Sequence, residues 1–503
     1  MTPEPLSALL SQSGAPALIV GEDGQTLSHA ELAGRIEALA GRLAAAGVHR
    51  GDRVALVMPN GPEYIQLFQA ITLVGAAAAP LNPAYTHGEF VFYLTDIAPK
   101  LMIVSASRPA AAISAAEERS LTVVTAQPGS DGPPALFVSE YEVDSKADFE
   151  AGQPDDVAVV LHTSGTTSRP KQVPLRQRNL MASVRTIGEH YRLGSGDVSF
   201  CVMPLFHVHG LVASTLSTLG SGGSVIVPRR FTPQRFWRQA REHGATWLSA
   251  GPTLHQMILD AEDDGGAPTT LRFARSCSSA LSPALMERAE AAYGVPMLEA
   301  YGMTEASHQM ASNPLPPAAR VPGSVGVSAG SEIGIAAKDG TLLPEGSTGE
   351  VVIRGPGVMT GYAANPTATA EAFYGDWFRT GDLGVLREGY LYLEGRIKEL
   401  IIRGGENISP VEIEQVLLSH PAVRDAVCFG VGDDKYGELV GVAVTLTEQA
   451  GETDAKQLTE HCRQHLAAFK VPSSITIMDQ IPRTATGKVQ RRRVAAVVAE
   501  RSE

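Results

Sequence analysis

The sequence has few cysteines, no long apolar run and a deficit of basic residues. Its four cysteines lie far apart without a Cys-x-x-Cys pair, which argues against a zinc knot or a disulfide framework and predicts buried reduced thiols. No stretch reaches the roughly 18 apolar residues of a membrane-spanning helix. With 41 Lys and Arg against 54 Asp and Glu the formal net charge is -13, so neither nucleic acid nor a membrane is expected as a partner.

The two termini carry no recognisable address. The first residues include an acid where a secretory signal would carry positive charge, and the last four, ERSE, are not a peroxisomal signal. We therefore expect a cytoplasmic protein, either a monomer or a homodimer.

Hydrophobicity patterns indicate an α/β protein of several units. A length of 503 residues suggests roughly three. Up to residue 140, and again over 156–322, helix-like stretches alternate with short apolar runs, which predicts two βα-sheet subdomains. Residues 323–396 are rich in glycine and β-prone runs, which predicts a β-rich subdomain, and the rest predicts a small α+β domain. The predicted division is a large N-terminal domain, 1–397, and a mobile C-terminal lid domain, 398–503.

Residues 161–171, LHTSGTTSRPK, have the composition of a phosphate-binding loop. Glycine lets backbone N–H groups approach an anion, the hydroxyls add donors, and Lys171 adds a point charge. The preceding run VAVVL predicts a buried strand, so the loop should lie at a strand's carboxyl end, where open α/β sheets bind ligands. We interpret the loop as an ATP site, with a Ser/Thr-rich linker as the alternative.

Three further clusters have a nucleotide interpretation: YGMTEA at 301–306, RTGDL at 379–383 with GRIKE at 395–399, and PRTATGKVQRRR at 482–493. The ring of Tyr301 can stack on adenine, Glu305 offers Mg²⁺ a hard oxygen, and Asp382 can accept hydrogen bonds from ribose hydroxyls. A core aromatic and a turn residue are the alternatives for Tyr301 and Asp382. The arginines at 491–493 are interpreted as a solvated face, with the phosphates of a large anionic cofactor as the alternative.

In this order the clusters resemble the adenylate-forming superfamily of acyl-CoA synthetases, luciferases and adenylation domains, over nearly the whole chain. The resemblance implies that a carboxylate attacks the α-phosphorus of Mg-ATP and that coenzyme A then takes the acyl group. It implies that Lys488 is catalytic, that Glu305 is the metal ligand and that Lys398 is the hinge. It further implies ATP contacts from Thr163, Ser164, Gly165, Thr166, Thr167, Lys171, Tyr301, Thr304, Asp382, Arg396 and Lys488, and a loop for the CoA step at Gly404, Gly405 and Glu406.

One position departs from the family pattern. The phosphate loop lysine is usually followed by glycine, whereas this chain has Gln172. If that backbone needs a positive φ, a side chain there costs on the order of 1 kcal/mol and weakens ATP binding.

Within the superfamily, the segments HTSGTTSRPK, MPLFHVHGL, RSCSSALSP, TEASHQMASNPLP and AAFKVP resemble oxalate–CoA ligases. Malonyl-CoA synthetases share the SNPL element. The resemblance implies an acid pocket at His207, Ser278 and His308. A dicarboxylate supports this because its unreactive charge needs donors when buried. The alternatives are a surface role for His308 and a gate between acid and CoA for His207, which is also assigned to the catalytic set.

Other functions remain as alternatives. They are a malonate, short-chain or fatty acid–CoA ligase, an adenylation domain that loads a carrier protein, and a non-catalytic nucleotide-binding paralogue. The serine-hydrolase pattern GVSAG at 326–330 lacks a strand–turn–helix setting, and His207 with His209 has no third metal ligand nearby.

Overall fold

The computed structural model describes residues 2–21, 24–129, 132–139, 141–163, 170–261, 265–447, 450–483 and 489–502. Segments 164–169 and 484–488, which carry part of the predicted phosphate loop and Lys488, lie outside the described residues. No helix in the described ranges is both long and apolar enough to cross a bilayer.

The strands, numbered in chain order, are β1 Pro16–Ile19, β2 Thr26–Ser28, β3 Arg53–Val57, β4 Ala77–Pro80, β5 Leu101–Ser105, β6 Thr122–Gln127, β7 Ala135–Val138, β8 Tyr141–Glu142, β9 Val157–His162, β10 Gln172–Arg176, β11 Val198–Phe200, β12 Ser224–Ile226, β13 Trp247–Ala250, β14 Phe273–Ser276, β15 Met297–Met303, β16 His308–Ser312, β17 Val327–Ser328, β18 Glu332–Ala336, β19 Thr348–Arg354, β20 Phe373–Tyr374, β21 Trp377–Arg387, β22 Tyr390–Arg396, β23 Ile401–Arg403, β24 Glu406–Ile408, β25 Val423–Asp433, β26 Gly437–Leu446 and β27 Ser474–Ile477.

The α-helices are α1 His29–Ala45, α2 Pro62–Leu73, α3 His87–Ile97, α4 Ala110–Glu117, α5 Gln177–His190, α6 Ser217–Gly220, α7 Pro233–Glu242, α8 Pro252–Asp260, α9 Pro283–Tyr293, α10 Pro366–Glu371, α11 Pro410–Leu418, α12 Ala455–His465 and α13 Arg491–Ser502. Short 3₁₀ turns lie at Leu6–Leu9, Thr304–Ala306, Ile397–Glu399 and Ala468–Lys470, and a π-helical segment spans His209–Leu216.

Two large sheets, largely parallel, form the N-terminal part, as predicted. Their strand orders are β10-β9-β4-β3-β5-β6-β7-β8 and β17-β16-β15-β14-β13-β11-β12-β1-β2. The inner strands are parallel, and antiparallel strands complete the edges. Strands such as β3 and β5 are apolar almost throughout because helices cover both faces of a parallel sheet.

The predicted boundary between the two βα subdomains, between residues 140 and 156, is wrong. Strands β9 and β10 follow that boundary, yet β9 pairs with β4 in the first sheet. Strands β1 and β2 precede it, yet β1 pairs with β12 at the edge of the second sheet. The path of the connecting segments decides which strands become neighbours. An apolar run therefore predicts that a strand exists but does not predict which sheet it joins.

The β-rich unit and the small α+β unit are confirmed as separate sheets. The first has the order β18-β19-β21-β20 with β22 on β21, and the second has β24-β23-β26-β25 with β27 on β26. The last sheet has its own apolar core, in which buried residues of β25 and β26 meet α11, α12 and α13.

Helix starts follow local capping chemistry. Ser28 and Glu31 form a capping box at the start of α1. Asp454 and Gln457 form another at α12. The Asp454 cap fixes the first turn of α12, which ends at His465. All four cysteines are buried and unpaired, as predicted.

Candidate active site

The ends of the predicted phosphate loop are joined by backbone contacts. Thr163 N–H donates to the Lys171 carbonyl at 3.0 Å, and Lys171 N–H donates to Thr163 Oγ1 at 3.2 Å. The connection is a hairpin between antiparallel β9 and β10, at the carboxyl end of β9. The Lys171 ammonium lies 4.6 Å from the centroid of the Tyr362 ring, a cation–π contact that holds the charge beside the loop. The positions of Ser164, Gly165, Thr166 and Thr167 are outside the described residues.

Gln172 does not have the strained backbone that comparison with glycine suggests. It lies in extended β10, paired with His162, and is not among the residues with positive φ. Its side-chain amide donates to Asp96 Oδ2 at 2.7 Å, and its carbonyl accepts from Arg53 at 3.0 Å. His162 Nε2 lies 2.9 Å from the same Asp96 oxygen. The expectation that a side chain at residue 172 strains the backbone and weakens ATP binding is thus wrong. The Gln172 side chain instead connects the first residue of β10 to the end of α3.

Tyr301, Asp382 and Arg396 come from three strands and meet in one cluster. The Tyr301 hydroxyl donates to Asp382 Oδ2, and Arg396 Nε lies 3.3 Å from Asp382 Oδ1. Asp382 and Arg396 are register partners in the β21–β22 ladder. Burial raises the pKa of Asp382, and the Arg396 guanidinium opposes that change. A charged acceptor held this way suits ribose hydroxyls. Since Tyr301 is only 8% exposed, stacking of its ring on adenine stays a prediction.

Glu305 occupies the 3₁₀ turn between β15 and β16. It is buried, and the Tyr362 hydroxyl lies 3.3 Å from its Oε1. A carboxylate near the phosphate-loop lysine, positioned by a neutral hydroxyl, offers the hard oxygen that Mg²⁺ prefers, so the residues present fit the metal. Gly302 is required for the turn because a Cβ there would lie 2.1 Å from the His308 carbonyl oxygen.

The three residues of the predicted acid pocket lie close to the same turn. His207 lines a cavity together with Thr304, whose other lining residues are Pro80, Leu81, Asn82, Tyr85, Tyr93, Leu161, His162 and Phe206. Ser278 and His308 have φ values of 80° and 111°. Such values cost a non-glycine residue about 1–3 kcal/mol each and persist where the surroundings over-determine them, often at functional sites.

A buried network connects Ser278 to His308. His209 lies between Ser278 Oγ, 3.0 Å from its Nδ1, and Ser249 Oγ, 2.7 Å from its Nε2. Arg275 lies 2.8 Å from Ser249 Oγ and 3.4 Å from His308 Nδ1. Burial, reinforced by His308 and Arg275, lowers the pKa of His209 well below its usual range, so His209 is neutral.

Sequence reasoning missed Arg275, Ser249 and the structural role of His209. The residues flanking Ser278 in RSCSSALSP contained Arg275, and an arginine within an apolar strand pattern was the available signal. Among the described residues, no group of three His, Cys, Asp or Glu side chains could hold a metal ion.

The predicted hinge lies at the junction to the last sheet. Lys398 is in the turn Ile397–Glu399 directly after β22. Glu399 Oε2 accepts from Arg491 Nε at 3.1 Å, and Arg491 also pairs with Glu414. Arg491 is thus engaged in a partly buried ion network, which contradicts its interpretation as part of a solvated face, whereas its two neighbours are exposed.

Gly404 and Gly405 form the tip of the β23–β24 hairpin, with φ values of 60° and 91°. Two consecutive positive φ angles suit a two-residue hairpin turn and favour glycine at both positions. Glu406 follows on β24 and is exposed. Lys488 lies outside the described residues.

Comparison with known proteins agrees with this arrangement. Residues 8–363 match the AMP-binding enzyme family and residues 412–488 match its C-terminal domain. "Probable CoA ligase CCL9" of Humulus lupulus is 50% identical over 479 residues, covering 93% of this chain and 91% of the relative. An oxalate–CoA ligase of Arabidopsis thaliana is 48% identical over 481 residues, covering 93% of each chain. ATP-bound MatB from Rhodopseudomonas palustris has a TM-score of 0.89 at 31% identity and 99% coverage of both chains. The chain therefore belongs to the AMP-binding enzyme family, within the adenylate-forming superfamily, and is an AMP-forming acid–CoA ligase that uses ATP, Mg²⁺ and coenzyme A.

Proposed function

We propose that the acid is oxalate. The observation that carries this proposal is the polar character of the pocket: Ser278 and His308 belong to a network of hydroxyl, imidazole and guanidinium groups. A pocket for a fatty acid would lose several kcal/mol by leaving such groups without partners beside an apolar chain. The short second carboxylate of oxalate supplies acceptors to these donors. The Arabidopsis relative named oxalate–CoA ligase adds support.

In the first half-reaction, a carboxylate oxygen of the acid forms a bond to the α-phosphorus while the bond from that phosphorus to the bridging oxygen breaks and pyrophosphate leaves. Lys488 holds the attacking carboxylate and the charge that develops at phosphorus, which is electrostatic preorganisation. The loop residues 163–167 and Lys171 bind the leaving phosphates. Asp382, with Arg396, orients the ribose. Glu305 would hold Mg²⁺, which would supply positive charge to the phosphates.

In the second half-reaction, the sulfur of coenzyme A bonds to the acyl carbon, the acyl–oxygen bond breaks, AMP leaves and the thiol proton passes to solvent. We propose that residues 398–503 rotate about Lys398 between the two steps relative to residues 1–397, which removes Lys488 and brings Gly404, Gly405 and Glu406 to the site. His207, on the wall of the cavity that Thr304 also lines, separates the acid from the incoming thiol.

The test is a screen of oxalate, malonate, acetate and a fatty acid by pyrophosphate release, with and without coenzyme A. Oxalate should give the highest kcat/KM and require coenzyme A for sustained turnover. A higher kcat/KM for malonate or a fatty acid would refute oxalate while leaving the ligase class intact. Malonate is the second candidate because residues 312–315, SNPL, are an element that this chain shares with malonyl-CoA synthetases.

A further inference from the structure

Arg275 is a buried cation without an anionic partner among the described residues. Its side chain is 0% exposed within β14, and it forms no ion pair with a described carboxylate. Its donors go instead to neutral acceptors: Nε to the Tyr191 hydroxyl at 2.8 Å, Nη1 to Ser249 Oγ at 2.8 Å and Nη2 to Gln309 Oε1 at 3.1 Å. Burial raises the pKa of Tyr191, so that hydroxyl stays neutral.

An unpaired buried charge is expensive, and proteins normally pair it with an opposite charge. The guanidinium nitrogens of Arg275 have hydrogen-bond acceptors, but no negatively charged group in the described network balances its positive charge. Arg275 lies close to Ser278 and His308, which we assign to the acid pocket. A dicarboxylate bound there would bring a negative charge near the guanidinium.

Hydrogen-bond direction gives the network a polarity. Arginine is only a donor, and Arg275 Nη1 lies 2.8 Å from Ser249 Oγ and 3.4 Å from His209 Nε2. Because a donor faces His209 Nε2, that nitrogen is an acceptor, and the Ser249 O–H is directed to it at 2.7 Å. His209 is neutral and accepts at Nε2, so its proton is on Nδ1 and is donated to Ser278 Oγ at 3.0 Å. The Ser278 hydroxyl proton is then directed away from His209. Arg275 Nη2 also faces His308 Nδ1, at 3.4 Å.

We propose that Arg275 is a positioning residue that makes the acid pocket selective for a second negative charge. It fixes the proton of His209 so that Ser278 presents a donor, and its charge stabilises the unreactive carboxylate without contacting it. This inference rests on the proposed acid pocket at Ser278 and His308.

Oxalate and oxamate provide a matched pair of probes. They are nearly the same size, but oxamate has a neutral amide in place of the second carboxylate. The measurements are the KM of oxalate in ATP–pyrophosphate exchange and the Ki of oxamate as its competitor. In the parent enzyme the Ki of oxamate should greatly exceed the KM of oxalate.

Arg275→Met should narrow that ratio about tenfold or more, since one unit charge is removed from a poorly screened interior, mostly by raising the KM of oxalate with little change in the KM of ATP. Arg275→Lys keeps the charge and should restore part of the ratio. Ser249→Ala removes the hydroxyl between Arg275 and His209 and leaves the Arg275 charge in place. It should also lower the ratio of oxamate Ki to oxalate KM. Arg288→Gln removes an equal charge from an exposed position on α9 and should leave the ratio unchanged.

A purely structural role predicts a different result. If Arg275→Met and Ser249→Ala lower activity while the ratio of oxamate Ki to oxalate KM stays at the parent value, the inference is wrong and the oxalate assignment stands. If Arg275→Met does not fold, Arg275→Lys and Ser249→Ala decide between the two results. If the parent enzyme itself does not discriminate between oxalate and oxamate, the inference is also wrong. The proposed function fails separately, if malonate or a fatty acid gives a higher kcat/KM than oxalate.

Discussion

The family pattern predicts that replacing Gln172 by glycine strengthens ATP binding, whereas the structure predicts that it destabilises the protein. The contacts that are lost give the size of this effect. The change restores the usual residue after the loop lysine and yet removes the contacts of the Gln172 amide with Asp96, at 2.6 Å to its backbone carbonyl and 2.7 Å to its carboxylate. It also removes the acceptor for Arg53 at 3.0 Å. Hydrogen bonds to charged groups contribute about 1.5–3 kcal/mol each.

These losses amount to about 3 kcal/mol, because the contacts share one side chain and are not additive. Glycine in a strand interior adds roughly 0.5–1 kcal/mol of backbone entropy. The entropy of unfolding grows with the number of residues, so in a unit of roughly 400 residues this free energy lowers Tm by about 4 °C. The KM of ATP should rise as well, since the foot of the phosphate-loop hairpin loses its anchor to α3.

The assay is thermal unfolding of Gln172→Gly and Gln172→Ala beside the parent, followed by the KM of ATP. Alanine removes the same contacts without adding backbone freedom, so it should lose most of the same stability. A Gln172→Gly variant as stable as the parent, with an equal or lower KM for ATP, would refute the reasoning and show that this backbone prefers glycine.

Three further results are expected. Lys488→Ala should lower the rate of acid-dependent pyrophosphate exchange by a factor on the order of 10³, as expected for the loss of an electrostatic contact to the transition state. Thioester formation from supplied acyl-adenylate should persist. Ser278→Ala and His308→Ala should each raise the KM of oxalate about tenfold, the value of one charged hydrogen bond, with a much smaller change in the KM of ATP. Glu299 is a buried residue of β15, and Glu299→Gln should remove a pH dependence of the free energy of unfolding. Burial raises the pKa of Glu299 from 4.5 to about 7, so the folded state binds more protons and stability falls as pH rises through that window, by ~3 kcal/mol. The Tm of Glu299→Gln relative to the parent should therefore be higher at pH 8 than at pH 5.

Each expectation has a contrary outcome. Equal loss of both half-reactions in Lys488→Ala would remove its assigned role. An unchanged KM of oxalate in Ser278→Ala or His308→Ala would take that residue out of the pocket. Parallel pH profiles of Tm for Glu299→Gln and the parent would show that this carboxyl titrates normally when folded.

Local sequence patterns predicted the strands and several helices because their causes are local. The apolar run VAVVL predicts a buried strand, which is β9, and the alternation of helix-like stretches with apolar runs predicts the βα pattern. The class of the enzyme could be predicted for a similar reason. The motifs predicted to bind phosphate, metal and ribose each lie within a short segment, and the family comparison confirms that class.

Tertiary structure was needed wherever distant residues share a contact. The sequence alone determined the fold class, the ligase chemistry and the candidates Asp382, Glu305 and Ser278, since each lies in a motif readable from its neighbours. Only the fold decided that β9 pairs in the first sheet, that Gln172 contacts Asp96 of α3, and that Arg275 contacts His308 of the proposed acid pocket. A buried charge acquires its meaning from the groups packed around it, and those groups come from strands and turns that chain order does not bring together.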